Sequence, residues 1–471
     1  MALAARLLVT ILSPLLLLAA SASYAGAAEP GSPAFVPPVW TVLPFVGMLL
    51  SIALFPLLAP HFWEHHFPKV SVLWLIVAIG LMAFSVPAGM HVGQIYGARF
   101  FSTAEEYVAF IILLGSLFII SGGIHISGHL PGKPLVNTAI LLIGSVLASA
   151  IGTTGASMVL IRPLVRANEG RQYQAHVVIF FIFLVSNIGG VLTPIGDPPL
   201  FLGFLQGIPF EWTLKLAPMW LLCTAILLAL FFGMDTALAR REGKVHSDDP
   251  IHFRIAGKRN ILLLLGVIGA VILSGVLHVE TTVPVFGFGE LHIQALVRDG
   301  AQIVLAGLSL GLTAHSIRRG NNFNYAPIRE VAILFLGIFA TMIPALMLLN
   351  ARGAALGLDT PAKYFWASGA LSSFLDNAPT YLTFLAAGMG SLGITDAAQM
   401  IHSTQGVRIL EAISVGSVFM GANTYIGNGP NFMVKAIAEQ SGVKMPSFFG
   451  YMVYSGLLLI PLFLLVTWIF F

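Results

Sequence analysis

The chain has 471 residues, of which 57% are hydrophobic and only 9% charged, with a formal net charge of +3. Soluble domains carry about 25% charged residues, so this composition cannot clothe a water-exposed surface. The few basic residues sit in short loops, which excludes a nucleic-acid surface. Apolar and polar residues do not alternate as a β-barrel requires. Apolar stretches of about 20 residues recur instead, the pattern of an all-α polytopic membrane protein whose surroundings are the lipid bilayer.

At the N-terminus, Arg6 precedes the apolar run Leu7 to Ala20, and small residues follow from Ser21 to Ala28. This is the pattern of a cleavable secretory signal over 1–28, with an uncleaved first membrane helix as the alternative. The signal reading puts the mature N-terminus outside a bacterial inner membrane.

Apolar segments then run over 41–60, 70–90, 106–122, 137–170, 177–208 and 213–234. Cys223 lies in the last of these; as the chain's single cysteine it can form no internal disulfide and reads as a packed helix residue. A polar stretch over 235–260 follows, and six further segments cover 261–277, 299–314, 331–350, 363–392, 408–439 and 447–470. The polar stretch reads as a cytoplasmic linker between two halves, 36–234 and 261–471.

Two segments in each half are unusual. Residues 137–170 carry Gly152-Thr153-Thr154-Gly155 in their middle, and 363–392 carry Asp376-Asn377-Ala378-Pro379. Gly and Pro interrupt helices, so each segment is predicted to be a re-entrant helical hairpin, the simpler alternative being ordinary helices joined by loops. The other pair predicts helix, break, helix. Gly190, Thr193, Ile195, Gly196, Asp197 and Pro199 align with Gly421, Thr424, Ile426, Gly427, Asn428 and Pro430 at a constant offset of 231. Each half therefore reads as three helices, a hairpin, a broken helix and a final helix.

Threading this order from outside places fifteen Lys and Arg in cytoplasmic loops against three outside, Arg99, Arg298 and Arg352. That is a strong positive-inside bias. It also starts the second half on the opposite side from the first, which makes the repeats inverted.

Most carboxylates fall in loops or near segment ends, but Asp197 and Asp376 stand mid-segment. There an ionised side chain costs about 2.5–3.5 kcal/mol even on the lenient insertion scale. Each lies in a predicted break, whose free carbonyls are tolerated only around a cavity or a bound ion. Nearby oxygens could complete a site for a hard cation such as sodium. The first half offers Thr153, Thr154, Ser157, Asn187 and Thr193, and the second Asn377, Thr380, Asn423, Thr424, Asn428 and Asn431. The half-helix N-termini would suit a carboxylate substrate. The competing reading makes Asp197 and Asp376 helix caps, and each Thr, Ser or Asn a packing or back-bonding residue.

His61 and His65, like His125 and His129, have a spacing that can hold a metal on a helix, but no third ligand is in place; they read as solvated loop residues. No phosphate-binding Gly-x-x-x-x-Gly-Lys-Ser/Thr motif occurs, which argues against an ATP-driven pump. Neither His-Glu-x-x-His nor a nucleophile–base pair stands at membrane depth, so the chain does not read as an enzyme, and no cofactor is expected beyond a transported ion.

The stretch Ser186-Asn187-Ile188-Gly189-Gly190 through Ile195-Gly196-Asp197-Pro198-Pro199 resembles the signature of the ion transporter superfamily. That group includes citrate-transporter-like proteins, sodium/proton antiporters, arsenite-efflux permeases and dicarboxylate symporters. Leu375-Asp376-Asn377-Ala378-Pro379 is similar to the hairpin tip of the antiporter branch. The resemblance implies a sodium site made by hairpin tips and unwound helices, elevator-like alternating access, and homodimers. The chain departs from the pattern at Gly152 to Ser157, which lacks the Asp-Asn of some antiporters. A second departure is Gly427-Asn428-Gly429-Pro430-Asn431, which is not the dicarboxylate type of tip. With two mid-segment carboxylates and no mid-segment Lys or Arg, exchange of sodium or a similar cation for protons is the leading expectation. A cation-coupled citrate or carboxylate transporter is the alternative, and a passive channel stays open.

Overall fold

A computed structural model describes residues 35–242, 252–277, 281–285 and 289–471. The expected signal over 1–28 lies outside them. Among the described residues, ten helices are long and apolar enough to cross a membrane. The protein is an all-α polytopic membrane protein, with two short two-stranded sheets among the described residues.

After a short 3-10 turn come α1 (Leu43–Leu58), α2 (Pro60–Ser85) and α3 (Val92–Ser121). Strand β1 (His125–His129) leads to α4 (Pro134–Ile151) and α5 (Thr153–Ala167). Next are α6 (Ala175–Leu184), a 3-10 turn over Ile188–Leu192, α7 (Pro198–Leu205) and α8 (Ala217–Glu242). Proline opens α2, α4 and α7, where its fixed φ suits a first turn and its missing N–H costs nothing.

Strand β2 (His252–Ala256) pairs antiparallel with β1, His125 opposite Ala256. Helix α9 (Arg259–Val276), the hairpin β3 (Thr282–Val285) and β4 (Gly289–His292), and α10 (Ile293–Leu312) follow. The chain continues through α11 (His315–Gly320), α12 (Ala326–Arg352), α13 (Pro361–Ser372) and α14 (Asn377–Leu392). It ends with α15 (Thr404–Met420), a 3-10 turn over Gly421–Asn423, α16 (Gly429–Gln440) and α17 (Phe448–Phe470). Hydroxyls of Thr360, Ser403 and Ser447 cap α13, α15 and α17 by accepting from the backbone N–H of Lys363, Gly406 and Gly450.

The helices sort into two packed groups. In one, α3 lies against α9, α10 and α12, and α12 lies against α1 and α2. In the other, α4 packs on α5, α13 on α15, α5 on α16 and α14 on α7. The second group holds the centre: the window Ala175–Leu192 is 89% buried, whereas Arg259–Val276 and Ile293–Leu312 are 22% buried. Their exposed Leu and Val faces suit lipid. The two groups meet chiefly along α12 and α14.

Several elements differ from the sequence reading. Helix α3 begins at Val92 rather than near 106, because its first turns carry Arg99, Glu105 and Glu106 and so do not register as an apolar run. Glu105 and Glu106 therefore lie within a helix rather than at a segment edge. Helix α8 continues through Asp235 to Glu242, into the expected linker. His61 and His65 are helical rather than in a loop, since Pro60 already opens α2. His125 and His129 are in a strand, which removes the helical spacing.

Candidate functional site

The segment 134–167 is interrupted at one residue, Gly152, whose φ of +80° and ψ of 149° suit glycine and little else. In 361–392 the interruption spans Ser373 to Asp376. Both segments are pairs of helices whose arms pack on each other.

The two broken helices show the same local construction. Thr193 Oγ1 donates to the Ser149 carbonyl, and Thr424 Oγ1 donates to the Ser373 carbonyl at 2.5 Å. Ser149 Oγ donates to Gly189 O at 2.5 Å, and Ser373 Oγ to Met420 O at 3.1 Å. Gly196 lies against the Gly190 carbonyl so closely that a Cβ would collide with it. A Cβ on Gly427 would stand 2.5 Å from Gly421 O and 2.7 Å from Ser372 O. The glycines at offset 231 are thus packing requirements of the break.

Where these breaks meet the hairpin tips, the polar residues converge. Asp197 is 1% exposed at the N-terminus of α7 and makes no capping bond to its own helix. Its Oδ1 accepts from Thr153 Oγ1 at 2.9 Å and from Asn428 Nδ2 at 3.4 Å. Its Oδ2 accepts from Asn377 Nδ2. The first break, both hairpin tips and the second break therefore meet on one carboxylate. No ion pair joins Asp197 or Asp376 to a Lys, Arg or His among the described residues.

Asp376 precedes α14, and its carboxylate accepts from Ala378 N at 3.1 Å, so it does cap its helix. Asn377, fully buried, spends its amide N–H on Asp197 and leaves Oδ1 without a hydrogen-bond partner. A buried orphan oxygen beside two carboxylates fits coordination of a cation.

An amide chain ties the two breaks together. Asn187 Nδ2 donates to Asn431 Oδ1 at 2.7 Å and Ile182 O at 2.8 Å. Asn428 Nδ2 reaches Ser186 O at 3.0 Å and Asn187 Oδ1 at 3.3 Å. Asn431 Nδ2 donates to Gly421 O at 2.8 Å and Thr424 O at 2.9 Å, filling carbonyls freed by the break. Ser157 and Ser186 share a hydroxyl hydrogen bond of 3.0 Å.

The remaining sequence candidates are placed apart from the carboxylate. Thr193 and Thr424 brace the breaks, as described. Thr380 back-bonds to Asp376 O at 3.0 Å. Asn423 donates to Ser373 Oγ at 2.9 Å, and Thr154, half-buried in the first turn of α5, takes no part in this set. Sequence reasoning missed Ser149 and Ser373, whose role is visible only once the tips and breaks are side by side. It also missed the buried cluster at the far ends of α6 and α8. There Asp235 accepts from Arg171 at 2.6 Å and Asn137 at 2.9 Å, and lies 2.9 Å from His176 Nε2. Assigning Asp235 to a linker hid it.

Residues 35–471 match a family described as "Putative citrate transport". The chain belongs to that family. Two relatives, both named as uncharacterized transporters, come from Mycobacterium bovis and Mycobacterium tuberculosis. Each is 26% identical over 344 residues, covering 67% of this chain and 72% of its own length. The protein is thus a multi-pass membrane transporter of the citrate-transporter type, related to transporters rather than enzymes.

Proposed function

We propose that the protein exchanges sodium, or a similar small cation, for protons across a bacterial inner membrane. One observation carries this reading. Asp197 is buried among neutral donors, Thr153, Asn377 and Asn428, with no basic partner among the described residues. A buried carboxylate without a counter-charge must take up a proton or a cation to be tolerated. Asp197 and Asp376 then bind the two ions in alternation, and Asn377 Oδ1 supplies a neutral ligand. The halves 36–234 and 261–471 act as inverted repeats around this point, the central helix group moving against the outer one.

Cation-coupled citrate transport is the second reading, favoured by the family description. In that case a cation at Asp197 would bridge to the substrate carboxylate, and the half-helix N-termini would hold its other oxygens.

Purified protein in liposomes separates the two. Sodium-dependent collapse of an imposed pH gradient is expected, whereas labelled citrate uptake without proton movement would transfer the assignment to the second reading. Full exchange activity in Asp376→Asn would remove Asp376 from the mechanism.

A further inference from the structure

Helix α3 carries adjacent carboxylates, Glu105 and Glu106, that the site above does not use. Glu106 lines a cleft of about 70 Å³ at the seam between the outer helices α3 and α12 and the central elements α14 and α7. Arg99, Thr103, Gln206 and Asn350 also line it, over a floor that includes Leu382 and Met389. Glu106 Oε1 accepts from Gln206 Nε2 at 2.7 Å, a bond from an outer helix to the residue that follows α7. Asn350 Oδ1, in the same lining, is buried and has no hydrogen-bond partner. An acceptor in that state costs about 1–3 kcal/mol unless something electropositive meets it.

The lining holds one carboxylate, Glu106, and one guanidinium, Arg99. Glu105 is the neighbour of Glu106, Arg99 is exposed at the rim, and Arg298 is already bound to Asp299 at 2.7 Å. A carboxylate and an unpaired amide oxygen in one cleft offer the oxygen ligands that a hard cation takes. The cleft shares two helices, α14 and α7, with the buried site. Leu382 lies six residues beyond Asp376, about 9 Å along α14, and Gln206 lies nine residues beyond Asp197, about 13.5 Å along α7.

We propose that Glu106, with Asn350 Oδ1, is an entry site for an alkali cation on the face of the protein where Arg99 stands, loading the cation that Asp197 and Asp376 then carry. This assignment rests on the exchanger reading. Glu106→Gln keeps the side-chain size and a partner for Gln206 while removing the charge.

In liposomes containing the full chain, the sodium KM measured from the Arg99 face is expected to rise about tenfold in Glu106→Gln, with the maximal rate held within about twofold. The KM from the opposite face should stay unchanged. A merely structural latch would lower the maximal rate from both faces, and that result, or an unchanged KM on both, overturns the proposal. A binding readout stands apart from transport. The single native cysteine, Cys223, is fully buried, so Thr103→Cys can be labelled selectively with an impermeant maleimide. Sodium should slow that labelling, and adding Glu106→Gln should abolish the protection. Protection that survives Glu106→Gln, or none with sodium, lithium or potassium in Thr103→Cys, sinks the entry site. Protection without any sodium/proton exchange keeps the entry site and removes the exchanger reading instead.

Discussion

The two broken helices and the two hairpin tips differ mainly in where each half keeps its negative charge. In the first half the tip is neutral, Gly152-Thr153, and the break is charged at Asp197. In the second half the tip is charged, Asp376-Asn377, and the break is neutral at Asn428. Thr153 and Asn377 each open the second arm of their hairpin, and Asp197 and Asn428 each precede a half-helix. The backbone supplies matched positions, and substitution places one carboxylate in each half at an unmatched one. Four carboxylates at one buried point would repel one another, and two leave room for amide and hydroxyl oxygens.

Removing the charge from the first half should have the largest effect. Asp197→Asn is expected to lower transport about 100-fold, the order for losing one preorganised electrostatic partner in a buried site. Thr153 can turn its hydroxyl to accept from the new amide, so thermal stability should change little. Asn428 Nδ2 is 3.4 Å from the Asp197 carboxylate, so Asp197→Asn with Asn428→Asp moves the charge by only one hydrogen bond. That double variant should recover part of the transport lost in Asp197→Asn. No recovery in initial-rate measurements would show that the halves are not interchangeable at this position.

The matched glycines test the other side of the comparison, the equivalence of the backbone. Gly196→Ala and Gly427→Ala each push a Cβ into a carbonyl of the same break, at Gly190 and Gly421. Each should destabilise the protein by about 1–3 kcal/mol, the usual cost of overpacking a tight core. Similar drops in the thermal midpoint are expected. A large drop for one and none for the other would mean that only one break is tightly packed.

The breaks were legible because their chemistry is local: Gly, Pro, Asn and Asp cluster at them, and the offset of 231 made the pattern visible twice. Asp197 and Asn428 could be gathered from that repeat, and Thr153 and Asn377 from the interruptions of the two hairpin segments. What the repeat could not show is the sorting among them. Thr193 and Thr424 stand in the same motif as Asp197 and Asn428, yet their hydroxyls are consumed by the carbonyls of Ser149 and Ser373. That distinction depends on which hairpin carbonyl lies opposite, a long-range contact with no sequence signal. Glu106 and Asp235 were missed for a related reason. A hydropathy profile ends a segment where charge begins, although a helix packed on protein can carry charge farther inward than one facing lipid.

The smallest expected effect lies at the surface, where charge behaves as it does in water. Lys363, in the first turn of α13, and Asp359, just before that helix, form an exposed ion pair of 2.8 Å. The hydrogen bond from Lys363 holds the Asp359 carboxyl below its ordinary range. A folded-state value below the unfolded one stabilises the protein above the unfolded carboxylate range, and that contribution is lost as pH falls through the folded value. Lys363→Ala should remove this acid-side dependence and leave transport unchanged, since exposed pairs are screened and weak. A thermal midpoint measured from neutral to acidic pH in both proteins checks it. If Lys363→Ala altered transport as strongly as Asp197→Asn, burial would not be what separates these two carboxylates.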